Sequence, residues 1–306
     1  LPGYNDWDPS RLIFISFSIF FAMITADAGY GLLMGMALLV SWRRMSEPGS
    51  TAIRLRNLWA SITGCSIVYG ILVGSYFGMS APAGTVLNAM AVLDLNDFDT
   101  MMRLSIAVGV LHLAIAHGAV FWRNRGTRIG MVALGWLIGV ISAFGLWLDY
   151  VTHEDFDIAT SVYGYGLLAW LLALIVFSGR RPFDSAANIA LNLGAGFGAL
   201  TGLTKAFGDV LSYMRLFALG LAGSSLAATF NDLAVAARDG SEHAGFLFFL
   251  LIILLGHTLN VVLTLMSGVI HGLRLNLMEF YNWGIREEGY PFTAFAKRGG
   301  SKWKGS

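Results

Sequence analysis

In LSYMRLFALGLAGSSLAATF, residues 211–230, an arginine stands inside an apolar run of helix-forming residues. Arg215 cannot shed its charge. An arginine at the centre of a membrane helix costs roughly 2.5–3.5 kcal/mol on insertion scales, so such a charge marks a functional site by default. A second arginine, Arg274, stands in FLLIILLGHTLNVVLTLMSGVIHGLRLNLMEF, residues 249–280. Counting back from Arg274 in steps of three or four, the spacing of one helix face, gives His271, Ser267, Thr264, Asn260 and His257. The same steps from Arg215 give Ser212, Gly208, Thr204 and Thr201 on one side, flanked by Lys205 and Asp209. On the other side they give Ala218, Ala222, Ser225 and Thr229. Small residues allow close helix approach and hydroxyls can line a wet path. The pattern is that of two polar half-paths, each stopping near an arginine, with chemistry suited to passing an ion. Neither arginine has an acidic partner at helical spacing on its own stripe, since Asp209 is offset from the Arg215 face.

Each element also has a plainer reading. Ser, Thr and Asn serve equally as interhelical glue. Lys205 and Asp209, at i and i+4, neutralise each other in the simplest case. His112 and His117 read as packing residues rather than ligands. Asp27, beside glycines, reads either as the cap of a helix break or as a carboxylate that moves ions. Glu279 and Arg286 lie near a helix end, where they can snorkel.

These residues must be positioned by membrane helices. Of the 306 residues, 56% are hydrophobic and 13% charged, whereas soluble domains carry about 25% charged residues. The expected fold is an all-α polytopic membrane protein of seven to eight transmembrane helices. Apolar runs of spanning length lie near 12–42, 57–78, 103–122, 129–149 and 161–178, followed by two much longer stretches near 186–237 and 246–286. The last two exceed a perpendicular crossing and must tilt steeply or project. Residues 1–286 form the transmembrane domain and 287–306 a polar tail. The run 12–42, broken by Asp27, Gly29 and Gly31, is either one kinked span or two short ones. One cysteine, Cys65, excludes an internal disulfide and a cysteine metal cluster. No metal site, cofactor or nucleic-acid partner is expected.

Loop charge sets the orientation. Arg43, Arg44, Arg54 and Arg56 share one loop, Arg123, Arg125 and Arg128 another, Arg180 and Arg181 a third, and Lys297, Arg298, Lys302 and Lys304 the tail. The alternate loops hold Asp94, Asp97 and Asp99, then Asp149, Glu154, Asp155 and Asp157, then Asp239 and Glu242. The Lys/Arg bias places the first set, and with it the C-terminus, in the cytoplasm.

SYMRLFALGLA, 212–222, resembles the signature of the membrane subunit of rotary V-type and archaeal A-type ATPases, called subunit a or I. HGLRLNLMEFYNWG, 271–284, is similar to that family's second arginine motif, and ADAGYGLLMG, 26–35, to its Gly-Asp-x-Gly-Tyr-Gly segment. GILVGSYFG, 70–78, and GVLHLAIAHG, 109–118, resemble further family segments. The likeness implies eight membrane helices and a stator, non-catalytic by itself, that cups a ring of small hairpin proteolipid subunits (c or K type). Each ring subunit carries a mid-membrane carboxylate. Arg215 and Arg274 would meet it. Thr201, Thr204, Lys205, Asp209, Ser212 and Glu279 would open to the cytoplasm, and His257, Asn260, Thr264, Ser267 and His271 outward. Protons or Na+ would then cross a bacterial or archaeal cell membrane only by riding the ring. Other stator and central-stalk subunits and the lipid bilayer are the remaining expected partners.

The family's large cytosolic N-terminal domain is not among these 306 residues. The eukaryotic branch has a His where this chain has Gly223, and Glu where it has Thr264 and Thr201, so its exit-path chemistry does not carry over. The competing function is an autonomous ion-coupled secondary transporter or channel built around the same stripes. A third is a purely structural assembly subunit.

Single cysteines introduced into a Cys65→Ala background test the orientation. An impermeant thiol reagent is expected to reach the loops 43–56 and 123–128 only from the cytoplasmic side. Labelling of 123–128 from outside overturns the assignment of both half-paths.

Overall fold

The structure, a computed structural model, describes residues 3, 6–46, 50–153, 157–179, 181, 184–240, 243–285 and 289–290. Arg180, Arg286, Glu154, Asp155, Glu242 and the basic residues of the tail lie outside the described residues. Among the described residues the regular structure is helical apart from one small hairpin. The helices are α1 (Ser10–Thr25), α2 (Ala28–Ser41), α3 (Ser50–Val73), the short α4 (Val86–Met90), α5 (Phe98–Arg123), α6 (Arg128–Thr152) and α7 (Val162–Phe177). Then come α8 (Ala186–Ala199), α9 (Gly202–Ser212), α10 (Met214–Asp239), α11 (Gly245–Arg274), a π-helical turn (Leu275–Phe280) and α12 (Tyr281–Gly284). Strands β1 (Ser75–Tyr76) and β2 (Met79–Ser80) form the hairpin after α3.

Helices α5, α6, α8–α10 and α11–α12 are each long and apolar enough to cross a membrane. The last two run 54 and 40 residues, about 81 and 60 Å at 1.5 Å per residue, against a hydrocarbon core of about 30 Å. The shorter α1, α2 and α7 are also apolar. This is the all-α, multi-pass membrane architecture that the composition implies.

The ambiguity at 12–42 resolves into two helices that reverse direction. Ala26 takes a left-handed conformation (φ 46°) and ends α1, and Asp27, in extended backbone, caps α2. A Cβ on Gly70 would lie 2.1 Å from the Ala28 nitrogen, one on Gly31 2.9 Å from the Ile67 nitrogen, and one on Gly35 3.1 Å from Thr63. So α2 runs antiparallel to α3 at backbone contact. Helix α1 runs parallel to α3, with Phe17 near Leu58 and Ile62, and Ala26 near Val73. Eight helical passes alternate in direction among the described residues, which brings the loops 43–46, 124–127 and the end of α7 to one end of the molecule.

The apolar run 57–78 is corrected in one respect. The helix starts at Ser50 and stops at Val73, because Gly74 (φ 74°) closes it in the left-handed conformation. Residues 75–80 are the hairpin, whose turn residues Phe77 and Gly78 both have positive φ (54° and 73°), as a two-residue type I′ turn requires. Hydropathy cannot separate this apolar hairpin from the helix before it.

Asp27 holds the reversal together. Its side chain is 1% exposed. Oδ1 accepts from the Tyr30 and Phe77 amides at 3.0 and 2.9 Å. Oδ2 accepts from Ser75 Oγ at 2.7 Å and the Gly78 amide at 2.9 Å. Four donors satisfy a buried carboxylate without a cation, and they clamp the α2 N-terminus to a turn in which a non-glycine residue sits at positive φ. Asp27→Ala strands these donors, at about 1–3 kcal/mol for each one left buried and unpaired. A large fall in the SDS-unfolding midpoint is expected, with a smaller fall for Asp27→Asn. Wild-type stability in both variants would refute the clamp.

Candidate functional site

Arg215 lies one residue inside α10, just after the chain changes helical register at Tyr213. Its Nη2 donates to Ser212 Oγ at 3.2 Å. Its Nη1 is buried and has no hydrogen-bond partner among the described residues. Across the interface, Arg274 is the last residue of α11, and its side chain is 55% exposed. It stands 3.9 Å from the Glu279 carboxylate, close enough to Arg215 for the two guanidinium groups to repel. Glu279 is 3% exposed and faces Ser212, Arg215 and Arg274 together. Its Oε2 is buried without a partner, as is Nδ1 of His271, which faces both arginines.

This corrects two expectations. Glu279 does not snorkel at the helix end. Arg274 does have an acidic neighbour on its own helix, five residues on rather than three or four. The turn Leu275–Phe280 is π-helical, and the wider i→i+5 turn brings residues at that spacing onto one face.

Two histidines that read as packing residues are buried against aromatic rings. His112, 4% exposed, stacks on Phe280 with centroids 4.5 Å apart and bonds the Tyr213 hydroxyl through Nδ1 at 2.7 Å. Tyr213 is fully buried against Gly109, so α5 braces the register change next to Arg215. His117 stacks on Trp136 and leans on Trp283.

On the α9 side of Arg215, Trp283 comes between the two charged residues. Its Nε1 donates to Asp209 Oδ2 at 2.6 Å, while Lys205 Nζ lies 4.8 Å over its ring. Lys205 and Asp209 make no ion pair within 4.0 Å among the described residues, and the Lys205 charge acts on the Asp209 carboxylate only at longer range. Thr201 and Thr204 are exposed, and their hydroxyls bond back to Gly198 and Thr201 carbonyls at 2.8 Å.

The stripe on α11 divides. Gly256, Asn260, Thr264, Gly268 and Gly272 are buried at steps of four, with the glycines receiving Phe230, Phe21 and Phe17. Asn260 donates to Tyr30 Oη and the Gly223 carbonyl, both at 2.9 Å. His257 bonds Tyr30 Oη at 2.7 Å and Asn231 Oδ1 at 2.9 Å, and Asn231 donates to the Phe77 carbonyl at 2.8 Å. Thr264 faces Gly223. His257 and Asn260 therefore belong to one network with α2, α10 and the hairpin that Asp27 clamps. Ser267, His271 and Arg274 remain half-buried or exposed beside this seam. Sequence spacing missed Tyr30, Asn231, Tyr213 and Trp283, because their partners lie on other helices. No group of three or more metal-ligating side chains occurs among the described residues.

No protein-family model matches the chain. Among curated proteins it is 30% identical over 311 residues to V-type ATP synthase subunit I of Borreliella burgdorferi, covering 97% of this chain and 50% of that protein. It is 31% identical over 317 residues to V-type ATP synthase subunit I 1 of Treponema pallidum, covering 97% and 49%. It is 27% identical over 308 residues to A-type ATP synthase subunit I of Pyrococcus horikoshii, covering 97% and 44%. The chain spans about half the length of these curated relatives.

The brace behind Arg215 makes a clean test. Tyr213→Phe keeps the ring and removes the hydroxyl, leaving His112 buried with both ring nitrogens unpaired, at about 1–3 kcal/mol. A lower SDS-unfolding midpoint with unchanged helix content is expected. No change would mean that His112 finds another partner.

Proposed function

We propose that this chain, homologous over nearly its whole length to the subunit I proteins of V-type and A-type ATP synthases, is the ion-translocating stator of a rotary ATPase. The observation that carries the proposal is the incomplete pairing at the arginine centre. Arg274 stands 3.9 Å from the Glu279 carboxylate, Arg215 feels that carboxylate without pairing to it, and a buried Arg215 nitrogen has no partner among the described residues. An unpaired buried charge is costly, and a carboxylate on another chain would complete the set. A ring of small hairpin proteolipids, each with a mid-membrane carboxylate, supplies such a group.

In this mechanism a ring carboxylate arriving beside Arg215 is held ionised by the adjacent cation and releases its ion. Arg274 shares that role from the second helix, with Glu279 as the standing counter-charge between ring sites. Thr201, Thr204, Lys205, Asp209, Ser212 and Glu279 form the cytoplasmic half-channel. Ser267 and His271 form the inner end of the outward one. His257 and Asn260 act in its wall, since their polar groups already serve the network with α2, α10 and the hairpin, and Thr264, buried against Gly223, lies in the same wall. The half-channels are offset, so an ion crosses only by moving with the ring, coupled to ATP hydrolysis or synthesis elsewhere in the complex.

The test is ion pumping and ion-coupled ATPase activity of the reconstituted complex, with ring retention as the control for assembly. Arg215→Ala is expected to abolish coupled transport while insertion persists, because removing an intramembrane charge relieves a cost. Arg215→Lys is expected to fail largely too, since a compact ammonium lacks the planar fork that engages a passing carboxylate. Pumping near the wild-type rate in Arg215→Ala refutes the reading. Transport by the lone chain in liposomes would favour an autonomous transporter instead.

A further inference from the structure

Two cavities that meet at Trp136, one of them lined by α9, take no part in the arginine centre. The larger, about 550 Å³, lies between α5, α6, α7 and α9. Trp136, Trp147 and Trp170 wall it on one side, and Ala206, Phe207 and Val210 of α9 on another. The smaller, about 310 Å³, sits where α5 ends and α6 begins, walled by His117, Arg128, Trp136, Ser178 and Trp283. Trp136 borders both.

The two cavities differ in chemistry. The larger is lined almost wholly by hydrocarbon and indole. The smaller carries donors suited to an anion. His117 is 3% exposed and its Nε2 has no partner among the described residues, and the same holds for the buried Ser178 hydroxyl. Arg128 brings a permanent charge, anchored by Nη1 to the Gly179 and Arg181 carbonyls at 2.8 and 2.7 Å. It begins a helix of 25 residues, whose N-terminal amides favour a negative group. Buried polar groups without partners are costly, so an acceptor that bonds the Ser178 hydroxyl and the Nε2–H tautomer of His117 stabilises the fold.

The spacing along α6 matches an amphiphile. Arg128 to Trp147 covers about 28 Å of helix, close to the hydrocarbon thickness of about 30 Å. Trp136 lies about 12 Å in from Arg128, within one leaflet of about 15 Å. A phosphate at Arg128 would therefore place an attached chain alongside Trp136 at the entrance of the apolar cavity.

We propose that this double cavity holds one phospholipid. Its phosphate lies against Arg128, His117 and Ser178, and an acyl chain passes Trp136 to pack beneath α9. The lipid then fills the space behind the helix that carries Lys205 and Asp209 and touches Trp283, which bonds Asp209. It thereby fixes where α9 stands relative to Arg215. The proposal needs a membrane location and does not rest on the rotary reading.

The full chain purified in mild detergent provides the test, read by native mass spectrometry and by thermal unfolding. One phospholipid per chain is expected to survive detergent washing, and added phosphatidylglycerol is expected to restore it after stripping and raise the unfolding midpoint. His117→Phe with Ser178→Ala keeps the ring stack and removes the donors. Retention is expected to fall roughly tenfold, as for loss of a hydrogen bond to a charged group. Ala143→Phe, which fills the apolar cavity from α6, is expected to lower retention at unchanged helix content. If inorganic phosphate alone reproduces the rise in midpoint while no lipid is retained, the pocket binds a free anion and the proposal fails. It fails equally if the wild type and both variants retain phospholipid to the same extent.

Discussion

A charged or polar group inside an apolar bundle must be met by another group, because neither water nor lipid is there to do it. That constraint organises this molecule. Asp27 meets it with four donors from its own helix cap and from the hairpin. Asn260, Tyr30, His257 and Asn231 meet it in a chain of bonds that ties α2, α10, α11 and the hairpin. Around Arg215 it is met only in part: Nη1 of the arginine, Oε2 of Glu279 and Nδ1 of His271 face one another's neighbourhood without bonding. The satisfied networks make the scaffold rigid, and the unsatisfied cluster is where a group from outside the chain has most to gain.

Close approach of backbones is what lets these polar groups reach each other. Gly70 sits against the start of α2, Gly109 against the Tyr213 ring, and Gly268 and Gly272 against the phenylalanines of α1. Small residues at helix crossings are the usual means of packing where lipid offers no hydrophobic drive between helices. Any side chain at Gly70 would collide with backbone, so the α2–α3 pair and the Asp27 clamp stand or fall together.

Both arginines stand at departures from regular α-helix. Tyr213 interrupts the ladder just before Arg215, and the π-helical turn begins just after Arg274. The first is braced from α5 by the His112–Tyr213 bond, and the second is seated by Phe280 under His112 and by Asn276, which accepts from Ser16 at 2.5 Å. One histidine therefore touches both irregular turns. Changes of register re-aim side chains without breaking the helix, which is how two helices that would otherwise present uniform faces bring Arg215, Arg274 and Glu279 to one place.

Local sequence determined the parts of this protein that depend on composition and short-range period. The apolar runs, the placement of both long helices, the alternation of basic and acidic loops and the polar registers around Arg215 and Arg274 are all legible within windows of a few turns. Tertiary structure decided the rest. Whether residues 12–42 span once or turn back depended on the fit of α2 against Gly70. Whether Lys205 pairs with Asp209 depended on Trp283, 74 residues away. The single stripe on α11 split because its middle faces α10 and α2 while its end faces Arg215. Glu279 joined Arg274 through a spacing that the 3.6-residue period does not contain. Periodicity records which residues share a face of one helix. It carries no information on which neighbour that face meets, and at a buried polar group the neighbour sets the chemistry.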